Sequence, residues 1–145
     1  MRRRSAVLAV ALIGFVLAVG SSPKVSAGRA VFQRAALPQT NPIPTSPASI
    51  GAGRLVYATN CRPCHGLKGE GDGVAPPPGS TPANLAAGKF KHGSTDPEMF
   101  KTIKEGVGPD FFMQAWDGKI SDTDIWNTIN YVRDLQKNRV LKKKK

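Results

Sequence analysis

The chain is 145 residues long, which suits one compact domain and not several. It holds two cysteines and two histidines. A structural zinc site would need all four, yet only the cysteines form a pair. Its net charge of +11 sits at the ends. Arg2, Arg3, Arg4 and Lys24 stand near one terminus, with Lys137, Arg139 and the lysines of residues 142–145 at the other, so the body between is close to neutral.

The first element expected is a secretory leader over residues 1–27. A basic head precedes an apolar run over residues 6–19, and Val25-Ser26-Ala27 offers the small residues of a cleavage site. That run is 14 residues, short of the ~20 of a membrane span. An uncleaved anchor, and with it membrane association, is the alternative. Either way the domain is expected outside the cytoplasm, in the periplasm or on the outer face of the membrane. Residues 28–46 are rich in Pro, including Pro38, Pro42 and Pro44, and read as an extended linker, a tether or an arm along the domain.

Regular structure is expected to begin near residues 46–49, with Ser49 capping a helix over residues 50–57. Ile50, Gly53 and Tyr57 share one stripe of it. A glycine inside a helix costs about 1 kcal/mol against Ala, so Gly53 suggests the close approach of something bulky.

That helix runs into Cys61-Arg62-Pro63-Cys64-His65. C-x-x-C-H is the attachment signature of a c-type haem. Two thiols three positions apart lie on one helical turn, where each can add to a vinyl group of one porphyrin, and the adjacent imidazole can meet the iron. A thioredoxin-like dithiol would want a βαβ context, which no flanking run suggests. A Cys61–Cys64 disulfide would close a tiny loop and stabilise little. Covalent haem is the reading the residues carry, and a single motif means a single haem.

Residues 66–79 are dense in Gly and Pro and cannot be regular structure. A loop ordered by the porphyrin it covers is expected. Thr95 or Asp96 before Pro97 starts a helix over residues 97–105, ended by Gly106. Ser121-Asp122-Thr123-Asp124 starts the last helix. Ile125, Ile129 and Val132 form its apolar stripe, with Trp126, Tyr131 and Leu135 alongside. Residues 137–145 read as a basic tail, either a solvated end or a handle for an acidic partner or an anionic lipid surface. Nucleic acid is not expected, since the chain is exported and no aromatics interleave with the tail.

With His65 on one face of the iron, the second ligand decides between electron transfer and chemistry on a bound molecule. The candidates are Met113, Met99 and His92, or an open site. Met99 sits in a first helical turn, where Met more often fills core space. His92 lies in a basic loop. Met113 follows Gly106, Gly108 and Pro109 and has Phe111, Phe112 and Trp116 around it, which can exclude water. It is the candidate the residues favour.

Over residues 47–136 the chain resembles the single-haem, bacterial class I cytochromes c. Gly53 and Tyr57 precede the haem motif as they do in that family, and Tyr131 matches the aromatic of its last helix. The resemblance implies an all-α fold in which the N- and C-terminal helices cross over a covalently bound haem, with Gly/Pro-rich loops. It implies Cys61 and Cys64 as thioether attachments, with His65 and Met113 as axial ligands. The implied role is a single-electron carrier in a respiratory or photosynthetic chain, not an enzyme. Its donor would be a quinol-oxidising complex or dehydrogenase, and its acceptor an oxidase or reductase. The alternatives are a fixed haem c subunit of a membrane complex and, further off, a haem enzyme or gas-binding protein with an open distal site. One departure stands out: where the family reads Met-Pro-Ala-aromatic, this chain reads Met113-Gln114-Ala115-Trp116.

Overall fold

The computed structural model of the chain describes residue 38 and residues 40–144. The expected leader, and the expected linker as far as residue 37, lie outside the described residues. Four α-helices follow: α1 (Pro47–Asn60), α2 (Arg62–His65), α3 (Asp96–Glu105) and α4 (Asp122–Lys143), with a 3-10 turn at Leu85–Ala87 between α2 and α3. The described residues form no strand beyond one isolated antiparallel bridge, Val107 with Met113.

The cap of α1 is Ser46, three residues earlier than expected. Pro47 occupies the first turn, where a missing N–H costs nothing. Ser49 is the return half of a capping box: its N–H donates to Ser46 Oγ, and its own Oγ accepts from Ser46 N–H. Both serines were suitable caps by type. The proline beside Ser46 is the signal that separates them. At α3 the expectation holds, with Thr95 and Glu98 forming a capping box and Gly106 ending the helix.

α1 and α4 cross at Gly53. A Cβ built there would lie 2.0 Å from the Asn127 carbonyl oxygen, so backbone meets backbone at the crossing. One turn on, the rings of Tyr57 and Tyr131 meet edge to face with centroids 5.1 Å apart. Phe100 of α3 stacks on Trp126 at 4.1 Å. Ile125, Ile129, Val132 and Met99 complete the core.

The stripe expected on α4 is only part of what it buries. Every residue from 125 to 132 is buried, including Asn127, Thr128 and Asn130. Asn127 and Thr128 lie against α1 at Gly53, and the cover over Asn130 comes from the end of the Pro-rich arm. Asn41 Nδ2 donates to Trp126 O at 3.1 Å and to Asn130 Oδ1 at 3.0 Å. Thr45 Oγ1 also donates to Asn130 Oδ1. Asn130 Nδ2 donates to Ile43 O and Ser49 Oγ. Residues 41–46 are therefore part of the folded body.

α4 also runs past its expected end at residue 136 to Lys143, so most of the basic tail is helix. Residues 137–143 contain neither Gly nor Pro, and cations suit a helix C-terminus. Two contacts hold this extension to the 3-10 turn: Gln136 Nε2 donates to Leu85 O at 2.9 Å, and Arg139 Nη1 to Asn84 Oδ1 at 3.0 Å.

Candidate haem-binding site

α2 is one turn long and begins where α1 stops. Cys61 N donates to Tyr57 O, while Cys64 N and His65 N both donate to Cys61 O. These bonds place the two thiols and the imidazole on a single turn. The thiols are not joined to each other. Burial, and then the nearness of Cys64, pushes the Cys61 thiol up to about 12 in the haem-free chain. His65 is buried, and its Nδ1 lies 3.0 Å from Ala83 O. Only a protonated Nδ1 can donate to that carbonyl, which leaves Nε2 as the free lone pair. Burial holds the His65 pKa below its ordinary value, with the Ala83 bond acting weakly the other way. The ring is thus held in one orientation with Nε2 left unbonded by Ala83.

The Gly-rich loop after His65 is ordered by α2 itself. The last carbonyls of a helix have no partner within it. Here the loop returns one for each: Gly66 N donates to Arg62 O, Ala75 N to Pro63 O, Gly73 N to Cys64 O and Gly71 N to His65 O. Tyr57 Oη donates to Gly66 O at 2.8 Å. The glycines are what make this possible. Gly71 has φ +83, and a Cβ at Gly73 would lie 2.2 Å from Pro63 O. The loop expected to be shaped by porphyrin is a main-chain cap on the haem-motif helix. Its glycine spacing was the visible signal. Ala83 contributes only a carbonyl, so no side-chain pattern could have marked it.

The candidates for the second ligand are separated by the fold. Met99 is 5% exposed inside the core against Phe100 and Trp126. His92 is exposed beside α3. Met113 is half-buried in the loop after α3, where its carbonyl accepts from Val107 N at 2.9 Å. Gly106 lets that loop close down: a Cβ there would lie 2.7 Å from Ala115 N. Phe111 and Phe112, expected to exclude water, stand 56% and 46% exposed. Phe111 takes a left-handed φ of +50 with its ring over Gly108. Trp116 alone of the three aromatics is half-buried.

Residues 48–132 match the family model described as Cytochrome C oxidase, cbb3-type, subunit III. The chain belongs to this family. It is a class I c-type cytochrome, a helical haem protein of electron transport. It is 33% identical over 89 residues to the Cbb3-type cytochrome c oxidase subunit FixP of Azorhizobium caulinodans, covering 57% of this chain and 28% of that one. It is 30% identical over 92 residues to subunit CcoP of Azospirillum brasilense, covering 63% and 30%. The match thus spans less than a third of the length of either relative. Among solved structures it is similar to a chain of the reducing HAO-like protein complex of Kuenenia stuttgartiensis, with TM-score 0.57 and 27% identity over 65% of this chain and 46% of that chain.

The residues of this cytochrome fit a c-type haem. Two unbonded thiols, an imidazole of fixed tautomer and a loop thioether are the donor set that such a group uses. The rival chemistries lack support here. Among the described residues no group of three or more His, Cys, Asp or Glu is placed to hold a metal ion. Cys61 caps α1 and Cys64 lies in α2, and the described residues form no βαβ unit, the context that a thioredoxin-like dithiol would want.

Proposed function

We propose that this chain carries single electrons on one covalently attached haem c in an extracytoplasmic respiratory or photosynthetic chain. Cys61 and Cys64 would hold the haem as thioethers, and His65 and Met113 would ligate its iron. The observation that carries this reading is the His65–Ala83 contact on the haem-motif turn, which presets Nε2 for a metal. When bound, the haem supplies the Fe(III)/Fe(II) couple. The protein's part is to hold its donors still while the charge changes. The α2 cap fixes His65 through main-chain bonds, and a thioether partner favours the reduced state and raises the potential.

The membrane-complex reading has its own support. Both relatives carry the name of a cbb3-type oxidase subunit. No helix among the described residues is long and apolar enough to cross a membrane, and the apolar run at residues 6–19 is a candidate anchor. Docking to a donor or acceptor is charge-guided, through the basic end of the molecule. Lys89 and Lys91 follow the 3-10 turn on which Gln136 and Arg139 rest, and no acidic residue occurs over residues 73–95 or beyond residue 134.

Three measurements test this. Met113→Ala is expected to abolish the ferric thioether charge-transfer band while leaving the haem attached. Loss of that band in Met99→Ala instead would overturn the ligand assignment. Carbon monoxide binding to the reduced wild-type protein at neutral pH would replace the carrier reading with an open-site haem protein. Fractionating cells into membrane and soluble extracts separates a fixed subunit from a shuttle.

A further inference from the structure

The segment between Met113 and α4 makes a set of contacts that haem attachment does not use. Trp116 N donates to both Ile103 O and Lys104 O at 3.2 Å, and Asp117 N to Lys104 O at 3.1 Å. These bonds pin the middle of the segment to the end of α3. Gly118, at φ +71, then turns the chain, and Lys119 N and Ile120 N both donate to Trp116 O. The turn carries Lys119 back over the segment it has just left. Its Nζ sits 5.8 Å from the centre of the Trp116 ring and donates to Gln114 Oε1 at 2.6 Å.

Gln114 directly follows Met113. The Met113 carbonyl is tied to Val107, and Trp116 is tied to α3. Between those main-chain anchors, the Gln114 side chain gives Lys119 a handle one residue from the methionine. A second lysine braces the same turn from the other side. Lys104 Nζ lies 3.5 Å from Asp117 Oδ1 and 2.7 Å from Asp122 Oδ1, and over the Phe100 ring at 5.6 Å. With its base fixed by Lys104, the turn delivers Lys119 from a steady position.

We infer that the Lys119–Gln114 contact is a clasp that positions Met113, slowing the opening of its loop. Gln114 and Lys119 are positioning residues that act through Met113. The inference rests on the reading of Met113 as an iron ligand. It predicts a kinetic effect at that ligand and little effect on the stability of the fold, because both side chains face solvent.

The test uses the ferric holoprotein, with imidazole as a competing ligand and loss of the thioether charge-transfer band as the readout. Gln114→Ala and Lys119→Met should each speed displacement about twofold to fivefold, the size of a solvent-facing charged contact. Thermal unfolding of both variants should match the wild type. Gln114→Glu retains an acceptor for Lys119 and should keep the wild-type rate. The double variant Gln114→Ala/Lys119→Met should be no faster than either single change, since both break one contact. Wild-type rates in the single variants overturn the clasp, as does equal acceleration in Gln114→Glu or full additivity in the double variant. Met113→Ala is the control. A band that survives there overturns the ligand assignment itself, a different failure from that of the clasp.

Discussion

The two ligand-bearing regions of the molecule are held by different means. His65 is buried on a turn whose terminal carbonyls are all met by backbone amides of the following loop, and its ring is fixed by a further carbonyl. Met113 is half-buried in a loop flanked by two exposed phenylalanines; main-chain bonds anchor its carbonyl to Val107 and Trp116 to the end of α3, and the contacts added between those anchors come from exposed side chains, two of them lysines. Main-chain ties do not depend on which residues carry them, apart from the glycines that allow the approach. Side-chain ties depend on each residue and are weakened by solvent and salt. The first region suits a ligand that stays in place. The second suits one whose hold can be tuned by substitution.

The largest expected effect removes what both regions serve. About 105 described residues make four helices, one of them a single turn, around a small core. Such a domain is marginal without an added apolar body. Chain produced without haem should be largely unfolded by circular dichroism. A cooperative thermal transition in haem-free protein would show that the α1–α4 crossing is self-sufficient.

Next in size is Gly53→Ala in the holoprotein. The new methyl would meet the Asn127 carbonyl at 2.0 Å with backbone on both sides. Neither helix can yield locally, so the cost should reach about 3 kcal/mol, at the top of the usual overpacking range. Thermal unfolding with the haem attached measures it. A loss under 1 kcal/mol would mean that the crossing is loose and that the steadiness assigned to the His65 side is overstated.

How much of this was legible in the sequence follows the same division. Gly53, Tyr57 and the haem motif declare themselves because side-chain identity carries their roles. So do Thr95, Gly106 and Ser121, which start or stop helices by type. The cap on α2 shows in the sequence only through its glycines, because its bonds run through backbone amides that any residue possesses. Asn130 was passed over because a polar residue in an apolar helix reads as solvent-facing until the arm that covers it is placed. The basic tail is largely exposed, as expected, but it is helical as far as residue 143. Nothing in residues 137–143 ends a helix, and charge alone suggested a solvated end.

Asn130→Ala probes the arm, which touches neither ligand region. It would remove four hydrogen bonds shared with Asn41, Ile43, Thr45 and Ser49. Asn41 keeps Trp126 O, Ser49 keeps Ser46 and Pro44, and Thr45 is exposed, so the Ile43 carbonyl is the group that loses its partner, and the change should cost about 1–2 kcal/mol. Proteolysis should then cut the chain near residues 41–45 while the thioether band is unchanged. A cut rate equal to wild type would mean that the arm is held by its prolines and Ile43 alone.

The smallest effect is the most discriminating. Tyr57→Phe removes one hydroxyl from the His65 side and nothing else. Gly66 O keeps a second donor, Gly69 N at 3.3 Å, so the carbonyl is not orphaned. The edge-to-face contact with Tyr131 survives, because the ring stays. The hydroxyl is buried, and burial raises the Tyr57 pKa above its ordinary value. It therefore donates as a neutral group at every pH where the protein is handled. The cost should be that of one neutral hydrogen bond, about 1 kcal/mol, seen as a fall of about 4–8 °C in Tm for a domain of this size. If the two regions are held independently, imidazole displacement of Met113 should proceed at the wild-type rate in this variant. A faster rate would tie the Met113 loop mechanically to the α2 cap, and the two sides of the haem would then have to be treated as one support.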